Sequence, residues 1–175
     1  MVTLNRRRTI VGGLVAAAGL VGAVAWTWAS PEEREIRAIQ KRLKSFARDV
    51  SFAGGGSPIQ RLSYPSQVVD YFADPVQFQL AIGPWNSRGT VIQTRAELQE
   101  GTTAYRASSK GLKVEFLDIA VTLEPSLTRA TAHLTSTVHF VGDADYWVQE
   151  FRLTLIKESA VWRIQALATV RTMEQ

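Results

Sequence analysis

The chain contains no cysteine and only two histidines. Without a thiol, disulfides, thiol nucleophiles, iron–sulfur clusters and cysteine-held zinc are all excluded, and the redox compartment leaves no mark on the sequence. A surplus of one charge is also lacking. The formal net charge is +4, and Arg6, Arg7 and Arg8 account for three of it. The remainder is close to neutral and offers no dedicated basic surface for nucleic acid. No internal repeat or low-complexity tract is present. Nor is there a phosphate-cradling loop, because Gly54–Gly56 follows a helical pattern and does not join a strand to a helix.

What is present is one long apolar run. Thr9 to Ala29 is uncharged and ends in Trp26-Thr27-Trp28. At 1.5 Å per helical residue it reaches roughly 31 Å, enough to cross a bilayer's hydrocarbon core. Three readings compete: a retained transmembrane anchor, a twin-arginine export signal around Asn5-Arg6-Arg7-Arg8-Thr9-Ile10, and an ordinary secretory signal cut after Ala25 or Ala29. The length exceeds a usual signal core and favours the anchor. Trp26 and Trp28 then sit where an aromatic belt meets headgroups. Gly12/Ala16 and Gly19/Ala23 repeat small residues four apart, which suits close approach of a second membrane helix. The division expected is a basic tail over 1–8, a span over 9–29 and a soluble domain over 30–175. Arginines abutting the run place the N-terminus inside and the domain outside, on the periplasmic side of a bacterial inner membrane.

The soluble part opens with a punctuated helix. Ser30 caps it, Pro31 suits the first helical position, and Glu33 completes a capping box. Ile36, Ile39, Leu43, Phe46 and Val50 form one apolar stripe, with Arg34, Arg37, Lys41, Arg42, Lys44 and Arg48 opposite. A shorter helix is predicted from Pro65 to Ala73, stopped by Asp74-Pro75. Strands over 76–82 and 90–93 follow. Thr94 and Glu97 then open a third helix, running to about Ser108. The last third reads as four strands over 112–123, 129–141, 146–157 and 161–172, joined by short turns into an antiparallel meander.

Alternation assigns faces. Leu134, Val138 and Phe140, then Trp147, Phe151, Leu153 and Leu155, then Trp162, Ile164, Ala166 and Val170 should face the helices. In the first long strand the parity flips, and a β-bulge near Phe116-Leu117 reconciles it. The opposite face carries His133, Thr135, Thr137, His139, Tyr146, Arg152, Gln165 and Leu167, a mixed surface suited equally to solvent and to another protein. His133 and His139 stand six residues apart on one strand, roughly 20 Å, too far to share a metal.

Helix, short helix, two short strands, capped helix, then a bent four-stranded meander closing on Val161-Trp162-Arg163-Ile164-Gln165-Ala166-Leu167 resembles the nuclear transport factor 2-like, or SnoaL-like, superfamily. The resemblance spans Pro31 to Met173. It implies an α+β, cone-shaped domain of three helices on a strongly bent mixed sheet. That superfamily holds isomerases, dehydratases, ligand binders and non-catalytic domains, among them membrane-anchored assembly subunits of secretion systems. Catalytic members carry an acid–base pair of Asp, His or Tyr inside the cone.

Here the inward positions are nearly all apolar, with Ser136 and Gln149 as polar exceptions. Ser136, Gln149 and Tyr71 are the pocket candidates, and Asp70, Tyr71 and Asp118 the acid–base candidates. No metal ligand set or cofactor site is expected. The leading expectation is a non-enzymatic, membrane-anchored accessory or assembly subunit. It would contact lipid and other membrane subunits, or a second copy of itself through the sheet. A carrier of a small apolar ligand and an exported isomerase- or dehydratase-type enzyme are the alternatives.

Overall fold

Helix punctuation decides where the domain begins. The computed structural model describes residues 30–53, 58–81, 89–142 and 146–170. Helix α1 (Pro31–Val50) starts behind Ser30, whose Oγ accepts a hydrogen bond from Glu33 N at 3.1 Å. Proline costs no hydrogen bond at that first position, where the N–H has no intrahelical partner. The apolar stripe is buried as its spacing requires, through Ile39, Leu43, Phe46 and Ala47. The expected span over 9–29, with Arg6, Arg7, Arg8, Gly12, Ala16, Gly19, Ala23, Trp26 and Trp28, lies outside the described residues. Among the described residues no helix is long and apolar enough to cross a membrane.

Strand β1 (Phe52–Ala53) follows α1, and helix α2 runs over Pro58–Val69. The sequence pattern placed the start of α2 at Pro65. Pro65 instead lies inside the helix, and Pro58 holds the first position. The end was also misplaced, since Phe72 and Ala73 already belong to strand β2 (Phe72–Gln79). The Asp74–Pro75 peptide is cis and falls between Phe72 and Gln77, where the register of β2 shifts. A register irregularity is where a strand tolerates proline, which cannot donate to the ladder. Strand β3 (Val91–Gln93) leads to helix α3 (Arg95–Ser108). Its capping box is complete: Thr94 Oγ1 accepts from Glu97 N at 3.3 Å, and Glu97 Oε2 accepts from Thr94 N at 2.7 Å.

The meander comprises β4 (Gly111–Leu123), β5 (Arg129–Phe140), β6 (Tyr146–Glu158) and β7 (Val161–Thr169). All seven strands make one sheet in the order β1-β4-β5-β6-β7-β2-β3, antiparallel except where β2 runs parallel to β7. The inner face presents Ala130, Ala132, Leu134, Leu153, Leu155, Trp162 and Ile164 to Ile39, Leu43 and Phe46 of α1 and to Val68 and Phe72. Phe46 is the hub, with ring centroids 5.1 Å from Tyr71, 5.3 Å from Phe72 and 5.8 Å from Phe116. Aromatic pairs at these separations add to the hydrophobic burial itself.

Two irregularities revise the assignment of faces. The bulge in β4 falls at Asp118 and Ile119, between the pairs Leu117↔Thr135 and Ala120↔His133, and not at Phe116-Leu117. Phe116, Ile119, Val121 and Leu123 therefore pack on the core, and Leu117 is turned outward. In β7 the register shifts at Gln165, between Leu155↔Ile164 and Thr154↔Ala166. The shift carries Leu167 to the inner side, where it packs against the core, and its place on the expected outer face is corrected accordingly. The far end of the sheet is tied down by Glu35. Its carboxylate accepts from Lys157 Nζ at 2.6 Å and from Trp162 Nε1 at 2.7 Å.

Candidate functional site

Three places could carry function: the interior of the cone, the junction of α1 with Tyr71, and the outer face of the sheet. The interior is the least chemical of them. Ser136, 2% exposed, is the one buried polar residue among the described positions. Gln149 shares its face, opposite Ser136 across the β5–β6 ladder. Its Nε2 donates to the carbonyls of Val170 at 3.1 Å and Glu150 at 3.0 Å, so it fastens the end of β7 to β6. Asp118 sits on the bulge, exposed, with φ 52°. A short polar side chain tolerates that left-handed backbone better than a branched one does.

The second place gathers the remaining acid–base candidates. Tyr71 is buried against Phe46, and its hydroxyl donates to Asp49 Oδ2 at 2.5 Å. Arg42 lies over the Tyr71 ring, its Cζ 4.2 Å from the centroid, and donates from Nη2 to the Asp70 carbonyl at 2.8 Å. Arg163 Nη1 donates to the same carbonyl at 2.6 Å. Arg48 Nε reaches Asp49 Oδ1 at 2.9 Å. Asp70 thus contributes through its main chain, while its side chain is exposed.

This arrangement fixes protonation. Burial, then the hydrogen bond to Asp49 and the charge of Asp49, pushes the Tyr71 phenol up to about 12. Burial raises the Asp49 carboxyl in turn. Hydrogen bonds from Arg48 and Tyr71, with the charges of Arg48 and Arg42, outweigh it and hold Asp49 below its ordinary value. At neutral pH the pair is a phenol locked on a carboxylate. A phenol near 12 gives up its proton poorly at pH 7, and both oxygens of Asp49 are already accepting. The geometry makes a better brace between α1 and β2 than a proton relay.

The outer face is the third place. Neighbouring strands set its rows: Lys113, His139 and Tyr146; Glu115, Thr137 and Val148; Leu117, Thr135 and Glu150; then His133 beside Arg152. The apolar members are exposed: Tyr146 at 68% and Val148 at 56% side by side on β6, and Leu117 at 47% two strands away on β4. Thr135 and Thr137 fill the space between them, half-buried, and charged residues form the rim. Gln165 is half-buried at the β7 irregularity, away from Tyr146 and Val148 in register. His133 and His139 lie on the same face, and no group of three His, Asp or Glu able to hold a metal occurs among the described residues.

Sequence reasoning found Tyr71 but missed Asp49 and Arg42 as its partners. The hydrogen bond spans 22 positions, and no local periodicity signals such a pair. Glu35 was missed as well, since an acid in the second turn of a helix reads as surface.

No family model and no curated protein matches the sequence. Solved structures do match in fold. A proposed scytalone dehydratase from Novosphingobium aromaticivorans aligns with a TM-score of 0.60 at 13% identity, over 81% of this chain and 87% of its own. A proposed aromatic ring hydroxylase from the same organism gives 0.60 at 17% identity, over 83% and 94%. An NTF2-like protein of unknown function from Pseudomonas putida gives 0.57 at 11% identity, over 78% and 85%. The likeness establishes an NTF2-like cone built on a mixed sheet.

Proposed function

We propose that this chain is a membrane-anchored, non-enzymatic accessory or assembly subunit that docks partners through the outer face of its sheet. The observation that carries the reading is the exposed apolar pair Tyr146 and Val148 at the start of β6, with Leu117 exposed two strands away on β4. These leave large apolar side chains in water, whereas among the described residues the core's hydroxyl groups are those of Ser136, Tyr64 and Tyr71, with no buried carboxylate or histidine. An exposed apolar patch rimmed by charge is characteristic of a protein-binding surface. The uncharged run from Thr9 to Ala29 behind Arg6, Arg7 and Arg8 would supply the anchor, contacting lipid and other spans, with the domain on the extracytoplasmic side of a bacterial inner membrane.

The test is co-purification of the full chain from membranes in mild detergent. Thr135→Arg and Val148→Arg place a charge among the exposed apolar side chains without touching the core. Both variants should fold with unchanged thermal stability and lose the partner, or lose self-association if the partner is a second copy. Retention of the same partners by both variants overturns the reading.

The enzyme alternative would use Tyr71 and Asp49, a hydrogen-bonded titratable pair whose phenol is raised and whose carboxyl is lowered. Tyr71→Phe separates the two, because a structural brace costs stability alone, whereas a catalytic phenol costs function in a variant that remains folded.

A further inference from the structure

Arg106 is half-buried and forms no ion pair with a carboxylate among the described residues. Arg106, in the last turn of α3, places its guanidinium Cζ 4.4 Å from the ring centroid of Phe52 and 4.2 Å from that of Tyr64. The two rings meet edge to face at 5.2 Å and form a corner around the cation. Tyr105 closes on the Phe52 ring from a further side at 6.3 Å. Tyr64 is held in place by its own hydroxyl, which donates to the Val50 carbonyl at 2.5 Å.

The Arg106 Nε and Nη1 atoms are buried and have no hydrogen-bond partner. Elsewhere Arg48, Lys113, Lys157 and Arg163 each stand beside a carboxylate. Aromatic faces attract a guanidinium, but they leave its N–H groups unsatisfied. Native proteins rarely bury such groups without an acceptor, and where they do, an absent water or ion is a leading cause. The surroundings are apolar enough to strengthen any charge pairing: burial pushes the Tyr64 phenol up to about 12 although the Arg106 charge pulls it down.

We infer that Arg106, Phe52, Tyr64 and Tyr105 form a receptor for the carboxylate of a small ligand with an apolar or aromatic body. A single guanidinium offers one positive charge, which balances a monoanion. A phosphate dianion would need a second cation. The Phe52 and Tyr64 rings against it, with Tyr105 beside Phe52, supply the apolar walls that such a ligand's body would contact. The site is separate from the outer face of the sheet and stands whether or not that face docks a partner.

The probe is benzoate, with benzamide as its neutral isostere and inorganic phosphate as a competing anion, added to the full chain in detergent. Benzoate should raise the melting temperature and bind in calorimetry, with benzamide and phosphate at least tenfold weaker. Arg106→Gln should abolish the benzoate response and, without ligand, melt no lower than the native chain, because it removes an uncompensated half-buried charge. Arg106→Lys keeps the charge but loses the flat stacking surface, and should bind benzoate more weakly than the native chain. Equal responses to benzoate and benzamide overturn the assignment, as does a benzoate response that survives Arg106→Gln. No response to benzoate at up to about 10 mM would show that water satisfies the guanidinium, and overturns it too. The comparison of benzoate with benzamide uses the native chain alone and does not depend on any variant folding.

Discussion

Tyr71→Phe removes one hydroxyl and leaves the ring packing against Phe46 and Arg42 intact. A hydrogen bond to a charged group contributes about 1.5–3 kcal/mol. Asp49 is 26% exposed at its side chain and keeps the Arg48 hydrogen bond, so the loss should fall at the lower end, about 1–2 kcal/mol. For a domain of this size that lowers the melting temperature by about 3–7 °C. The pH dependence identifies the mechanism. The folded-state pKa of Asp49 is depressed, so its stabilisation is present above the unfolded value near 3.9 and is lost as pH falls through the depressed value. The Tyr71 phenol is raised to about 12, so its stabilisation is complete below the unfolded value near 10 and is lost as pH rises toward 12. The stability gap between native chain and variant, read from chemical denaturation, should be flat from pH 5 to 9 and close at both extremes. A gap that does not change with pH, or no gap at pH 7, would show that the hydroxyl is solvated and that the brace does not exist.

Gly111→Ala should destabilise the start of β4 by about 1–3 kcal/mol, seen as a lower urea midpoint with unchanged slope. Gly111 has φ +149°, and an added Cβ would stand 2.6 Å from Val141 Cγ2 and 3.0 Å from the Phe52 carbonyl. Leu167→Arg should unfold or strongly destabilise the domain by circular dichroism, since the β7 irregularity puts this position against the core, where an unpaired charge costs about 2 kcal/mol or more. A Leu167→Arg protein that melts like the native chain would place the side chain outside and refute the register.

Most of the fold was legible because its long elements obey their periods. The stripe of α1, the capping box of Thr94 and Glu97 and the alternation of β5 and β6 each point to one answer locally, and the structure agrees. The errors fall where adjacent residues are all apolar. At Phe116-Leu117 and again at Ala166-Leu167-Ala168, hydrophobicity cannot say which neighbour takes the inner side. One overlooked signal was Asp118, a residue type that accepts the left-handed conformation a bulge requires. β1 has two residues and no period to read. Pro65 fits a first helical turn so well that the sequence gives no warning of a helix already under way. The Asp49–Tyr71 and Arg106–Phe52–Tyr64 groupings join elements remote in sequence, and tertiary packing alone brings them together.

The two ends of β6 carry different loads. Lys157, near its close, bonds Glu35 of α1, while Tyr146 at its start belongs to the exposed apolar pair. They stand eleven positions apart along the strand, roughly 35 Å at the usual rise. The end at Glu35 is fixed by two hydrogen bonds to one carboxylate and by the buried Trp162. At the other end, Tyr146 and Val148 are exposed on one side of the strand, and Trp147, edge to face with Phe140 at 6.3 Å, is 46% exposed on the other. A strand start that exposes large side chains on both faces loses burial and gains nothing in fold stability. Such a feature is retained more readily when a partner covers it. If the proposed docking occurs, that asymmetry favours the start of β6 over the whole sheet, where threonines and charged residues already meet water at little cost.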